Sequence, residues 1–314
     1  MKDVSPQLIQ EIESRLPDIP EGVYQDFSHE TDFIDIAVKQ LDNIQCSTNA
    51  QSARIQVKEL HQSPYIRYSR PKYIRDTNPE LGDILYILNY FESGRIIERR
   101  ASITQAKFTS GDYGKRKDRV WKVQMHQFHL LDTLNNFRFD WKDEDDRFTI
   151  DKQNKSLTTY IFASDFLPPF FQTVKRSKWY LYDEGSDPTK YTLPRKEPWD
   201  TDEYFERILS MVRREYGQAF EPGDDLYDML YYMFDKQRDA TFTSGRSADS
   251  LVDNSGDPVP DGGESESTGS PMKVVFIDIG LDALIFDSDN SNEIAIGDLV
   301  EEDYIDRQQL RDIE

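Results

Sequence analysis

Residues 79–107 read PELGDILYILNYFESGRIIERRASITQAK, and the fold turns on how that stretch is divided. Ile84 to Phe91 is apolar and aromatic with almost no alternation, the pattern of a strand buried on both faces. Arg99 to Phe108 reads as a second strand, and Glu92-Ser93-Gly94-Arg95 between them as a hairpin turn. With Gly94 at the centre of the turn, cross-strand partners have residue numbers summing to about 188, which sets Asp83 opposite Gln105. Gln105 and Lys107 are two apart and share a face. An acid, a neutral oxygen ligand and an ammonium then meet where two strands end, as a metal-assisted phosphodiester cleavage site requires. The plainer reading of the same residues is a hairpin with polar ends.

The surroundings of the hairpin are unlike the rest of the chain. The formal net charge is -21 and the pI about 4.6, which ordinarily argues against nucleic acid as a partner. Yet residues 51–122 carry 15 Lys or Arg against 8 Asp or Glu, so the acidity lies elsewhere. Arg54, Lys58, Arg67, Arg70, Lys72 and Arg75 precede the hairpin; Arg95, Arg99 and Arg100 lie on it; Lys115, Arg116, Lys117, Arg119 and Lys122 follow it. From Tyr65 to Arg75, tyrosines alternate with cations, a pattern suited to stacking on bases while contacting phosphates. An edge strand or loop that lays its Arg and Lys over a core gives the same pattern. The acidity outside this region fits a protein kept soluble in high salt.

A length of 314 residues suits one elaborated domain or two of ordinary size, and 37% hydrophobic with 12% aromatic residues supports a folded chain despite a mean hydropathy of -0.73. Cys46, the single cysteine, excludes an internal disulfide and fits a reducing compartment. The first residues lack the apolar core of a signal peptide, and no run is long enough to span a bilayer. The expectation is a soluble cytoplasmic protein without a membrane partner.

Elsewhere the periodicity predicts helices over Ser5–Leu16, with Ser5 as N-cap and Pro6 in the first turn, and over Thr31–Leu41. Val120–Leu134, Thr201–Tyr216 and Leu226–Phe234 also read as helices. Leu157–Phe162 and Trp179–Tyr182 read as strands separated by a break at Pro168-Pro169. Glu11, Glu30 and Glu59 are N-terminal glutamates that could reach a site from a flanking helix; the plainer reading of each is an ordinary surface carboxylate. His126, His129 and Asp132, three apart on one helix, have metal-ligand spacing but are most simply surface residues. The organisation expected is residues 1–142 around the hairpin, an α+β accessory region over 143–242, a disordered linker or loop over 243–272, and a β-hairpin region over 273–314 packing back on the body.

At Asp83, Gln105 and Lys107 the chain resembles the PD-(D/E)xK nuclease superfamily, in the Mrr-like variant whose second acid is replaced by glutamine. The resemblance covers roughly residues 60–135. It implies an α/β (α+β) fold, a restriction-endonuclease-like mixed sheet flanked by helices, with an α+β C-terminal extension. It also implies Mg²⁺ (or Mn²⁺) held by Asp83 and Gln105, with Lys107 positioning the attacking water. Because a neutral amide holds Mg²⁺ weakly, a further carboxylate is wanted. Glu80 is the first candidate, with Glu30 or Glu11 behind it. Gln127, on the following helix, is similar to the helical glutamine of some branches. The function implied is cleavage of DNA, with RNA as a second substrate class, in restriction or antiviral defence. Arg70, Lys72, Arg99, Lys115, Arg116, Lys117 and Gln127 are the expected nucleic-acid contacts. The alternative is a catalytically inactive nucleic-acid-binding or scaffold subunit of the same fold, and the acidic C-terminal half offers a surface for a protein partner.

Overall fold

The computed structural model describes residues 2–16, 30–60, 64–69, 78–109, 120–140, 147–151, 157–164, 167–173, 180–181, 190–194, 202–241 and 271–282. In chain order the elements are α1 (Pro6–Arg15), α2 (Glu30–Lys39), β1 (Ile44–Ser47), β2 (Ser52–Glu59), β3 (Ile66–Tyr68), β4 (Ile84–Glu92), β5 (Arg95–Thr109), β6 (Val120–Gln124), α3 (Met125–Thr133) and β7 (Phe137–Phe139). Then follow β8 (Thr158–Ser164), β9 (Leu167–Thr173), β10 (Tyr180–Leu181), β11 (Lys190–Pro194), β12 (Asp202–Glu203), α4 (Tyr204–Val212), β13 (Gln218–Phe220), α5 (Asp225–Thr241) and β14 (Lys273–Gly280).

The hairpin of β4 and β5 lies inside a nine-stranded mixed sheet of order β1-β2-β14-β4-β5-β8-β9-β12, with β13 also on β5. β14 runs parallel to β4 and β8 parallel to β5; the other pairs are antiparallel. Because β4 is central, both its faces are buried. Ile84, Tyr86, Leu88 and Tyr90 join a core with Leu8 and Ile12 of α1, Phe33, Ile34 and Val38 of α2, and Ile208 and Leu209 of α4. Leu85 and Ile87 join the opposite core with Leu130 and Leu131 of α3 and Leu226, Met229 and Leu230 of α5. Each such side chain contributes about 1.5–3 kcal/mol when removed from water. The class is α+β, a mixed sheet flanked by helices.

A strand apolar on both faces gains little register information from hydrophobicity. Here the turn supplies it. Ser93 (φ 54°) and Gly94 (φ 78°) are both left-handed, as a two-residue type I′ loop requires. Glu92↔Arg95 and Phe91↔Ile96 pair around that loop, one residue short of the offset expected from the sequence. A bulge that leaves Ile97 unpaired restores the offset, so Tyr90↔Glu98 through Ile84↔Thr104 follow it.

Several expectations are revised. Val120–Gln124 is a strand, and the helix begins at Met125. Trp121 and Val123 alternate into the core there, and the Trp121 indole donates to the Ala163 carbonyl at 2.7 Å, a strand's arrangement. Pro168-Pro169 does not interrupt the sheet. The two prolines stand opposite Ala163 in a bulge between the pairs Phe162↔Phe170 and Ser164↔Leu167, where the ladder asks no N–H of them. Residues 273–280 are no outer hairpin strand; they pair on both sides, with β2 and with β4, in the middle of the sheet. That sheet also takes β8, β9, β12 and β13 from the expected accessory region, so residues 1–142 and 143–242 share one sheet. The linker expected before Pro271, the basic loop after Thr109 and the residues beyond Asp282 lie outside the described residues.

Candidate functional site

β5 outruns β4. Ile84 pairs with Thr104, and beyond that pair β5 meets Gly82 and Asp83 instead of a strand. Asp83 bridges that step. Its backbone N–H donates to the Thr104 carbonyl at 2.9 Å, and its Oδ2 accepts from the Ala106 backbone N–H at 2.6 Å and from Gln105 Nε2. The carboxyl thus takes the place of a strand carbonyl. The approach is close at Gly82, where a Cβ would lie 2.9 Å from Ile103 Cγ2 and 3.1 Å from the Thr104 carbonyl oxygen.

The polar chain continues into the helical layer. Gln105 Oε1 accepts from Gln127 Nε2 in the first turn of α3, and both side chains are buried. Lys107 lies two residues on along β5, and its Nζ donates to Glu30 Oε1 at 2.7 Å. The Lys107 side chain is 11% exposed and that of Glu30, first residue of α2, 37%. On the other flank, the Lys273 backbone N–H donates to the Asp83 carbonyl at 2.9 Å. The Lys273 ammonium bonds Glu59 at the end of β2 and Asp35 of α2, the latter at 2.9 Å. Burial pulls the Lys273 ammonium down, but these two carboxylates hold it above the ordinary lysine value.

Burial pushes the Asp83 carboxyl up to about 7. The Lys107 ammonium and the Ala106 N–H pull it down, while Glu30 and, less strongly, Glu80 push it up. Burial is thus the main cause of the rise, and Lys107 is the strongest single charge acting on Asp83. The Tyr160 phenol beside it is raised well above its ordinary value, chiefly by burial and next by Asp83.

Of the residues singled out in the sequence, Asp83, Gln105 and Gln127 form one hydrogen-bonded chain, and Lys107 stands beside it. Glu80 forms an isolated antiparallel bridge with Tyr65. Glu30, ranked behind Glu80 from sequence, meets Lys107 and acts more strongly on Asp83. Arg99 is elsewhere. It lies six positions back along β5, roughly 20 Å away at a strand's rise, with its guanidinium 5.9 Å from the Tyr227 ring centroid. Arg70, Lys72, Lys115, Arg116 and Lys117 lie outside the described residues. Other cations of the basic region turn inward. Arg54 pairs with buried Asp278 at 2.9 Å, and Arg100 donates to the Tyr216 and Gly217 carbonyls at 3.1 and 2.7 Å. His129 of the His-His-Asp run stacks on Tyr68 at 5.6 Å. Lys273 and Asp35 were not found by sequence reasoning, because no local pattern links a lysine so far along the chain to Asp83.

Among the described residues, no group of three or more His, Cys, Asp or Glu is gathered to hold a metal ion, and no helix is long and apolar enough to cross a membrane. No family model, curated protein or solved structure matches the chain.

Proposed function

We propose that the chain is a Mg²⁺-dependent, restriction-endonuclease-like protein that cleaves phosphodiester bonds in DNA, acting in the cytoplasm in defence against foreign DNA. The observation that carries this reading is the meeting of Asp83, Gln105 and Lys107 where β4 begins and β5 continues past it, with Glu30 against the lysine. Acid, amide and ammonium are the residue types for hydrolysing a phosphodiester.

The donor set suits a hard divalent cation. Asp83, Glu80 and Gln105 offer oxygen ligands of the kind such an ion takes, and Glu30 and Glu80 both act on the buried Asp83 carboxyl. Mn²⁺ would be held by the same oxygens. Gln105 directs Nε2 at Asp83 and Oε1 at Gln127, so its amide must turn over to share an ion with Asp83. Gln127 then serves Gln105 as acceptor where it is now donor. The bound ion would supply charge neutralisation at the phosphate and acidify a water. The protein's own contribution is in Lys107. Its ammonium, oriented by Glu30, holds the attacking water and faces the charge that gathers on phosphorus-bound oxygens. Water adds to phosphorus, one P–O ester bond breaks, and the departing oxygen takes up a proton.

A second reading, a non-catalytic nucleic-acid-binding or scaffold subunit, is favoured by the orientation of Gln105, whose carbonyl oxygen is occupied by Gln127. Mn²⁺ titration followed by electron paramagnetic resonance separates the two. The nuclease reading expects one bound ion, lost in Asp83→Asn and tighter at pH 8 than at pH 6. DNA binding with no ion at either pH would favour the scaffold.

A further inference from the structure

The site is built from elements distant in the chain, and one residue beside it, through its backbone N–H and its ammonium, touches three separate segments. Lys273 opens β14. Its N–H holds the Asp83 carbonyl at 2.9 Å, and its ammonium bonds Glu59 of β2 and Asp35 of α2. Asp35 and Glu30 stand on the same helix, and Glu30 holds the Lys107 ammonium at 2.7 Å. The two ion pairs fasten α2 to the sheet at two points, one through each lysine.

The position of Lys273 is itself secured. Five residues along β14, Asp278 is buried at 1% exposure between its cross-strand neighbours. It accepts from Arg54 Nη2 of β2 at 2.9 Å and from Asn89 Nδ2 of β4 at 2.8 Å. A slip of β14 by one residue would turn this carboxylate to the opposite, apolar face and leave Arg54 facing a hydrocarbon side chain.

We propose that Lys273 is a positioning residue: its ammonium ties α2 to the end of the sheet and so sets Glu30 against Lys107. The consequence for catalysis rests on the nuclease reading above; the geometric claim does not. Lys273 acts through α2. Its ammonium is held by Glu59 and Asp35, and the side chain is 7% exposed, too enclosed to meet a nucleic acid directly.

The test is the rate at which each lysine of the folded full-length chain is acetylated by a brief pulse of acetic anhydride, read by peptide mass spectrometry. In the native protein Lys107 is protected by its enclosure and by Glu30. Glu30→Gln raises its rate several-fold. Lys273→Met is expected to do the same, the double variant to add nothing, and Lys273→Arg to restore protection. Exposed Lys2 serves as the internal control and keeps its rate. Should Lys273→Met fail to fold, Asp35→Asn, at a half-exposed helix position, carries the same expectation. An unchanged Lys107 rate in Lys273→Met, beside a raised rate in Glu30→Gln, would overturn the proposal. So would a uniform rise at every lysine, which marks general loosening. In the same variants, Mg²⁺-dependent DNA cleavage should fall in kcat with KM unchanged. Absence of cleavage by the native protein would sink the nuclease reading and leave the acetylation result standing.

Discussion

Asp83 sits at a conflict between two demands. Its carboxyl completes the backbone bonding of β5 through the Ala106 N–H, yet burial beside Glu30 and Glu80 makes its ionised form costly. A native carboxyl near 7, against 3.8 in the unfolded chain, sets the sign of the pH dependence. Between those values the folded state holds a proton that the unfolded state has released. The contribution to stability is full below about pH 4 and is lost as pH rises to about 7. Asp83→Asn, whose amide oxygen still accepts from Ala106, is expected to flatten that slope and to be on the order of a few kcal/mol more stable than the native protein above pH 7. Urea unfolding at pH 5 and pH 8 measures it, and parallel profiles for the two proteins would show that Asp83 carries no such penalty. Gly82→Ala tests the close approach. Its methyl group meets Ile103 and the Thr104 carbonyl, so it should cost about 1–3 kcal/mol, as overpacking does. The offset that sets Asp83 opposite Gln105 is the sum of a two-residue turn, which alone would set Asp83 opposite Thr104, and one extra residue in β5; the two strands and the turn between them were legible in the sequence. The bulge at Ile97 was not, since no local residue type announces it.

At the scale of elements, β14 was legible as a strand but not as a central one. Lys273–Ile279 has the apolar run of a buried strand, and only its partners, remote in sequence, show where it inserts. Asp278 interrupts the run, and its Arg54 and Asn89 partners lie directly opposite on the two flanking strands. Asp278→Ala removes one member of a buried ion pair and leaves the Arg54 charge exposed to a low-dielectric core, a loss of about 3–5 kcal/mol. Replacing the pair together, Arg54→Met with Asp278→Leu, should recover most of it, because apolar groups of similar volume remove the desolvation penalty. Chemical denaturation of both variants checks this, and equal losses for the single and the double variant would contradict it. Pro168-Pro169 and Val120–Gln124 went unrecognised for a different reason. A proline pair is compatible with a strand when a bulge receives it, and a stretch of Val, Trp and Val beside a helix shares apolar residues with both periods.

For the whole molecule, charge is the constraint on any partner. A chain of formal charge -21 must meet a polyanion through a local basic surface. Of the cations counted around the hairpin, Arg54, Arg100 and Lys107 are committed to internal partners, so the surface available is smaller than the sequence count implied. DNA affinity should therefore fall with salt along a shallow line, at about 0.9 logarithmic units per phosphate contact and few contacts. Fluorescence anisotropy between 50 and 200 mM salt, a range over which such contacts are resolved, gives the slope, and a slope of zero would contradict phosphate recognition. The division expected near residue 142 could not be read correctly from composition, because strands from both sides of that position are joined by backbone pairing that leaves no compositional mark.

The central claim is that Asp83, Gln105 and Lys107 make one hydrolytic site. Nicking of supercoiled DNA with and without Mg²⁺ tests it most directly, on the native protein, Asp83→Ala and Lys107→Ala. Cleavage that needs Mg²⁺ and falls by at least about a hundredfold in each variant, as loss of an electrostatic or acid–base group predicts, is the expected result. Cleavage that persists in both variants would contradict it.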